Sequence, residues 1–279
     1  MRRRPGRRWA GLLTLGLVSA VIAGCGSGQV NADAGGPRPS AGPAGVVRIA
    51  AASDLKFALE ELQPLLDKTY PGVTVKATYG SSGTFLQQIT EGAPFDMFLS
   101  ADLKFPKQLA DAGLADEKDL FEYAVGRLVV WTPEGSPVDP AEGLSVLTDP
   151  RVKKVSIANP AHAPYGRAAV AAMRTTGVYD KVEPKFVLGE SVSQAAEFVQ
   201  SGGADAGVVA MSLVLSDPLR EEGRWVEVPL TDFPQLLQGG VVLGKAEDLD
   251  AARAVRETLL SEPGKELLRK YGFFLPDEK

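Results

Sequence analysis

The sequence predicts an α/β fold with a mostly parallel sheet. Two patterns carry that expectation. Short runs rich in β-branched residues alternate with longer runs whose apolar residues recur at helical spacing. Four of the β runs also end in a small turn that opens a helix, at Ser53, Ser82, Tyr165 and Val192, which is the strand-to-helix unit of parallel sheets.

The elements follow in order. Val46–Ala50 reads as a strand. Leu55, Ala58, Leu59, Leu62, Leu65 and Leu66 then recur at helical spacing, with Pro64 kinking the helix and Ser53 placed as its N-cap. Pro71-Gly72 ends that helix. Val73–Ala77 is a second strand, running into Gly80-Ser81-Ser82-Gly83-Thr84 and a helix through Ile89. Phe95–Leu99 is a third strand, and a helix follows to about Ala112. Further strands are expected over Arg127–Trp131, Val155–Ala158, Lys185–Leu188, Ala206–Val209 and Gly240–Leu243. Helices are expected over Arg167–Thr175, Ser193–Gln200, Leu249–Leu260 and Gly264–Tyr271.

The N-terminus reads as an address. Residues 1–24 pair a basic start, with five Arg and no acid, with a short apolar run ending at Ile22-Ala23-Gly24. This is the layout of a signal peptide, too short to span a membrane comfortably. The junction with Cys25 resembles a bacterial lipoprotein signal, in which the cysteine carries lipid. Residues 25–45 are rich in Gly, Pro, Ala and Ser and read as a flexible tether. Net charge is -5 overall, so without the five arginines of the first 24 residues the remainder carries -10. That balance argues against nucleic acid as a partner. It also gives no long-range attraction for an anion, so an anion site here must work through local dipoles. One Cys and one His rule out an internal disulfide and argue against a Cys/His zinc site.

In open α/β sheets ligands sit beyond the carboxyl ends of the strands. Helix N-termini there present unsatisfied N–H groups and the positive end of the dipole, which suits an anion without any charged side chain. Ser53 can act as a cap or as an anion donor. Ser81-Ser82-Gly83-Thr84 sets three hydroxyls in four residues and lacks the Lys of a phosphate-binding P-loop. His162 reads as a structural hydrogen-bonder, Asp96 and Asp102 as braces of their loop, and Arg48, Arg127 and Arg167 as ion-paired or solvated. No G-x-S-x-G elbow is present.

The segments AASD, YGSSGTFLQQITEGAPFDMFLSAD, NPAHAPYGRAAV and EPGKELLRKYGF resemble the molybdate-binding component of molybdate ABC transporters, over about Val46 to Phe273. The resemblance implies a type II periplasmic-binding-protein fold, with two α/β lobes joined by two crossover strands and a ligand cleft between them. Lobe one would hold 46–125 plus 246–279, and lobe two 126–245. The family binds molybdate or tungstate at five positions. Carried over, four are Ser53, Ser82, Tyr165 and Val192, the last two acting through their backbone N–H groups. The fifth, commonly a Tyr hydroxyl, falls on Ala210. Ser212, a water or the Tyr165 phenol could stand in for it, or the site makes one contact fewer. The implied partners are the oxyanion, a membrane permease and the lipid anchor. The implied state is a monomer outside the cytoplasm, with no resident cofactor and no catalytic activity.

Molybdate at neutral pH carries no proton and only accepts hydrogen bonds, so its site should hold donors. Phosphate carries a proton and calls for an acceptor; Asp54, beside Ser53, is the one candidate at the four turns. The alternatives are a binding protein for sulfate, phosphate or a small organic anion, and, in another class, an extracytoplasmic hydrolase with His162 as its base.

Overall fold

The structure is a computed structural model that describes residues 42–278. The expected signal peptide, the lipidated Cys25 and most of the expected tether lie outside the described residues. Folded chain begins with β1 (Ala44–Ala52), two residues inside the expected tether. A 3₁₀ turn at Ser53–Leu55 follows, then α1 (Lys56–Glu60), α2 (Gln63–Thr69), β2 (Gly72–Gly80), α3 (Ser82–Thr90), β3 (Met97–Ser100), α4 (Lys104–Asp111), β4 (Ala115–Gly126) and β5 (Leu128–Pro133). The chain continues through β6 (Val155–Ala158), α5 (Pro164–Thr175), α6 (Tyr179–Val182), β7 (Phe186–Gly189), α7 (Val192–Gln200), β8 (Ala206–Ala210), α8 (Met211–Val214) and β9 (Gly223–Glu227). It closes with β10 (Leu236–Leu243), α9 (Leu249–Leu260) and α10 (Glu262–Lys270).

Two five-stranded sheets organise these elements into two lobes, in the orders β2-β1-β3-β10-β4 and β7-β6-β8-β5-β9. The first sheet is covered on both faces because β1 alternates. Ile49 and Ala51 meet Val255, Leu259 and Leu268 of α9 and α10, while Ala50 meets Phe85 and Leu109 of α3 and α4. The second sheet buries Leu128, Val130 and Trp131 against Ala169, Met173, Ala196 and Val199 of α5 and α7. The chain passes between the sheets twice, at Gly126–Leu128 and between β9 and β10.

Four expectations are corrected here. The sheets are mixed rather than mostly parallel: β1 pairs with β2 and β3, and β6 with β7 and β8, in parallel, whereas β10 and β5 pair antiparallel with both of their neighbours. Apolar content does not encode strand direction; the two passages between sheets set it. β10, expected within lobe two at 126–245, pairs with β3 and β4 of the first sheet, because the chain has already crossed back by Leu236. Ser53 is not an N-cap: Ala52 holds that position, without a side-chain cap bond, and Ser53 is the first residue of the 3₁₀ turn. The helix expected across Leu55–Leu66 is also divided, and Pro64 opens its second part rather than bending one rod.

Two strands escape the sequence patterns, β4 and β9. Both are edge strands. β4 begins Ala-Asp-Glu-Lys-Asp, with Asp116, Glu117 and Lys118 exposed, which suits an edge and looks unlike a strand.

Candidate anion site

The four predicted turns come together. Ser53, Ser82, Tyr165 and Val192 line one small cavity with Ala52, Asp54, Gly80, Ser81, Ala101, Ala163 and Pro164. The first lobe contributes the ends of β1 and β2, and the second contributes the starts of α5 and α7. No Lys, Arg or His lines it. A wider cleft adjoins it through Ala101 and Pro164 and carries Lys104, Lys107 and Arg167. The starts of α3, α5 and α7 all meet at the smaller cavity.

Each turn leaves donors over. Ala52, Ser81 and Ala163, the N-cap residues before the Ser53 turn, α3 and α5, make no side-chain cap bond. The first-turn amides of Ser82, Tyr165 and Val192 have no residue four positions back within their helices to accept from them. Only at α7 does a cap side chain act, with Ser191 accepting from the Gln194 amide. The Ser53 hydroxyl oxygen accepts from the Ser193 amide at 3.2 Å, and the Ser82 hydroxyl oxygen from the Ala101 amide at 3.0 Å. Among the described residues neither hydroxyl donates, so both protons remain for a ligand. Ser53 is 2% and Ser82 1% exposed, which removes competing water and strengthens each bond.

Contacts across the cleft join the two lobes. The His162 carbonyl accepts from the Gly83 amide at 3.0 Å and from the Ser81 hydroxyl at 2.8 Å. His162 Nδ1 lies 2.9 Å from the same hydroxyl and Nε2 lies 3.3 Å from Glu190. His162 thus serves contact between segments, as expected of a structural hydrogen-bonder. Asp96 accepts from the Arg48 amide and guanidinium and from the Glu247 amide; Asp102 accepts from the Lys104 amide and pairs with Arg167. Both brace their loops. Arg48, Arg127 and Arg167 are all ion-paired, with Asp96 and Glu247, with Glu227, and with Asp102 respectively. Arg127 also sits 4.3 Å over the Phe274 ring, beside the first passage between sheets.

Both side chains considered as replacements for a Tyr at Ala210 are engaged elsewhere. The Ser212 hydroxyl donates to the Asp54 carbonyl at 2.7 Å. The Tyr165 phenol donates to Asp54 Oδ2 at 2.9 Å, and Gln238 Nε2 donates to the same oxygen at 2.6 Å. Ala210 itself is fully buried. The sequence reading did not include Gln238, which reaches Asp54 from β10 across 184 positions; no local signal marks it. Burial pushes the Asp54 carboxyl up to about 6, against the lowering effect of Gln238, of Tyr165 and of the Asp54 and Leu55 backbone amides.

With this geometry in view, residues 47–274 match the family of bacterial extracellular solute-binding proteins. The chain belongs to that family. Its members bind and carry solutes and are not enzymes, and a hydrolase built on His162 is therefore set aside. The molybdate-binding protein ModA of Rhodobacter capsulatus is 40% identical over 231 residues, covering 82% of this chain and 88% of its own. ModA of Azotobacter vinelandii is 35% identical, covering 84% and 92%. The solved structure of the Azotobacter vinelandii periplasmic molybdate-binding protein superposes with a TM-score of 0.75 at 29% identity, over 83% of this chain and all of that one. The two-lobed architecture of the periplasmic binding proteins is thereby the fold of this chain.

Proposed function

We propose that the protein captures molybdate outside the cytoplasm and passes it to the permease of an ABC transporter, with tungstate as an equivalent cargo. The observation that carries this reading is the convergence of four helix-opening turns, two from each lobe, on one small cavity without a cation. Ser53 and Ser82 donate through their hydroxyls, and Tyr165 and Val192 through their backbone N–H groups. The names and cover of the relatives support the same cargo. Bonds to a charged acceptor contribute about 1.5–3 kcal/mol each, so a handful suffices for tight capture without an Arg. Ligand between the lobes stabilises the closed form, which is the form a permease can distinguish.

Calorimetric titration with molybdate, tungstate, sulfate and phosphate tests the cargo. Heat is expected with the first two; heat with sulfate or phosphate alone would overturn the reading. Ser53→Ala and Ser82→Ala should each weaken molybdate binding by about 1 kcal/mol or more. Unchanged affinity in both variants would mean that the anion sits elsewhere.

The signal-peptide pattern of residues 1–24 and the Gly-, Pro- and Ala-rich run that follows Cys25 support export and lipid attachment at Cys25, with the folded protein acting as a monomer. Cys25→Ala should move the protein from the membrane fraction to the soluble one. Retention in the membrane would exclude the anchor.

A further inference from the structure

Asp54 is the one carboxyl among the residues that line the anion cavity. It is 1% exposed. Its Oδ2 is held by Tyr165 and Gln238, but its Oδ1 is buried with no hydrogen-bond partner among the described residues. None of the salt bridges among those residues involves it, so no cation balances it.

An oxygen so placed has two possible relations to an anion. As part of a carboxylate it sets negative charge against negative charge in a poorly screened interior. As part of a carboxylic acid it becomes an O–H donor, the kind of group the rest of the cavity supplies. We infer that the protein takes up one proton together with its oxyanion: Asp54 is the neutral acid in the filled site, with Oδ2 still accepting from Tyr165 and Gln238 and the Oδ1 hydroxyl donating to the cargo. This rests on the molybdate reading of the site. The proton comes from solvent on binding and returns to it on release, and the cargo remains a dianion throughout.

The neighbours leave Asp54 as the group that titrates. Tyr165 from α5 and Tyr123 from β4 are both pushed far up by burial and by the nearby carboxylate. Tyr79, at the end of β2, is pushed up to about 12. β10 supplies Gln238, α8 supplies Ser212 to the Asp54 carbonyl, and α7 supplies Val192 and Ser193 beside Ser53. Burial sets Asp54 near 6 without an anion, so above neutral pH the empty site is largely ionised. A dianion beside it favours the protonated form further. Binding above pH 7 must therefore draw a proton, and affinity should fall about tenfold per pH unit there. Asp54 thus replaces the donor that Ala210 cannot provide.

The test is calorimetric titration of the full chain with molybdate at about pH 7.5, in two buffers of different ionisation heat, then across about pH 7 to 8.5. Wild type should take up close to one proton and lose about tenfold in affinity per unit. Asp54→Asn keeps the shape and offers an amide N–H, so it should bind with no proton uptake and a flat pH profile. Tight binding by wild type without proton uptake, or an unchanged slope in Asp54→Asn, overturns this inference alone. Absence of molybdate binding by wild type overturns the cargo reading as well. Should the variant fail to fold, infrared difference spectra of wild type decide: a protonated carboxyl band that grows on adding molybdate supports the proton, and its absence rejects it.

Discussion

Gly83→Ala should weaken oxyanion binding about 30-fold or more while leaving each lobe as stable as before. A Cβ at Gly83 would lie 2.4 Å from the His162 carbonyl oxygen and 3.0 Å from its Cα. Both are backbone atoms of the opposite lobe, so no side-chain rotation relieves the clash. The Gly83 amide and the Ser81 hydroxyl both donate to that same carbonyl across the cleft. Losing the two bonds costs the closed form about 2 kcal/mol, at roughly 1 kcal/mol each. A form with the two lobes apart would lack this contact, so the substitution would leave it untouched. The pair of measurements is urea unfolding without ligand, expected to match wild type, and calorimetric affinity for molybdate, expected to fall. A variant that binds as tightly as wild type would show that the protein accepts ligand without bringing Gly83 against His162.

Asp54→Asn should raise the stability of the empty protein at pH 8 by on the order of 3 kcal/mol and flatten its dependence on pH. Folding raises this carboxyl from 3.8 to about 6, and each unit of pKa difference corresponds to about 1.4 kcal/mol. The folded state holds the proton more tightly than the unfolded chain. Its advantage is therefore full below pH 3.8, shrinks as pH rises through about 6, and is gone above that. Asparagine keeps an acceptor for Tyr165 and Gln238 and never ionises. Chemical unfolding of both proteins at about pH 5 and pH 8 checks this: the gap between them should widen with pH. Parallel profiles would mean that Asp54 is solvated in the empty protein.

How much of this was legible in the sequence differs between elements. Val155–Ala158 and Leu249–Leu260 have the expected bounds, since their apolar periods are undiluted and their flanking residues punctuate them. The four site turns were legible because strand period, small residues and helix period meet within a few positions at each. β4 was not, because an edge strand paired on one side can fill its outer half with Asp, Glu and Lys. Nor was the assignment of β10 to the first sheet. That depends on where the chain crosses back, which no residue near Leu236 announces. The Asp54–Tyr165–Gln238 cluster brings together a turn, a helix start and a strand far apart in the chain. Asp54 was visible only as a carboxyl beside Ser53; its partners are a property of tertiary packing.

The uncapped starts at Ala52, Ser81 and Ala163 have a consequence for cooperativity. In an ordinary helix the missing cap is a side chain of the same segment, and its effect ends with that helix. Here three segments from two lobes lack their own, and their spare amides face one cavity. An anion held there is a single cap shared by all of them, supplied from outside the chain. Its arrival completes local structure in both lobes in one event, so intermediate degrees of closure gain little. The geometry favours a protein that is either open and unfinished at three turns, or shut and complete.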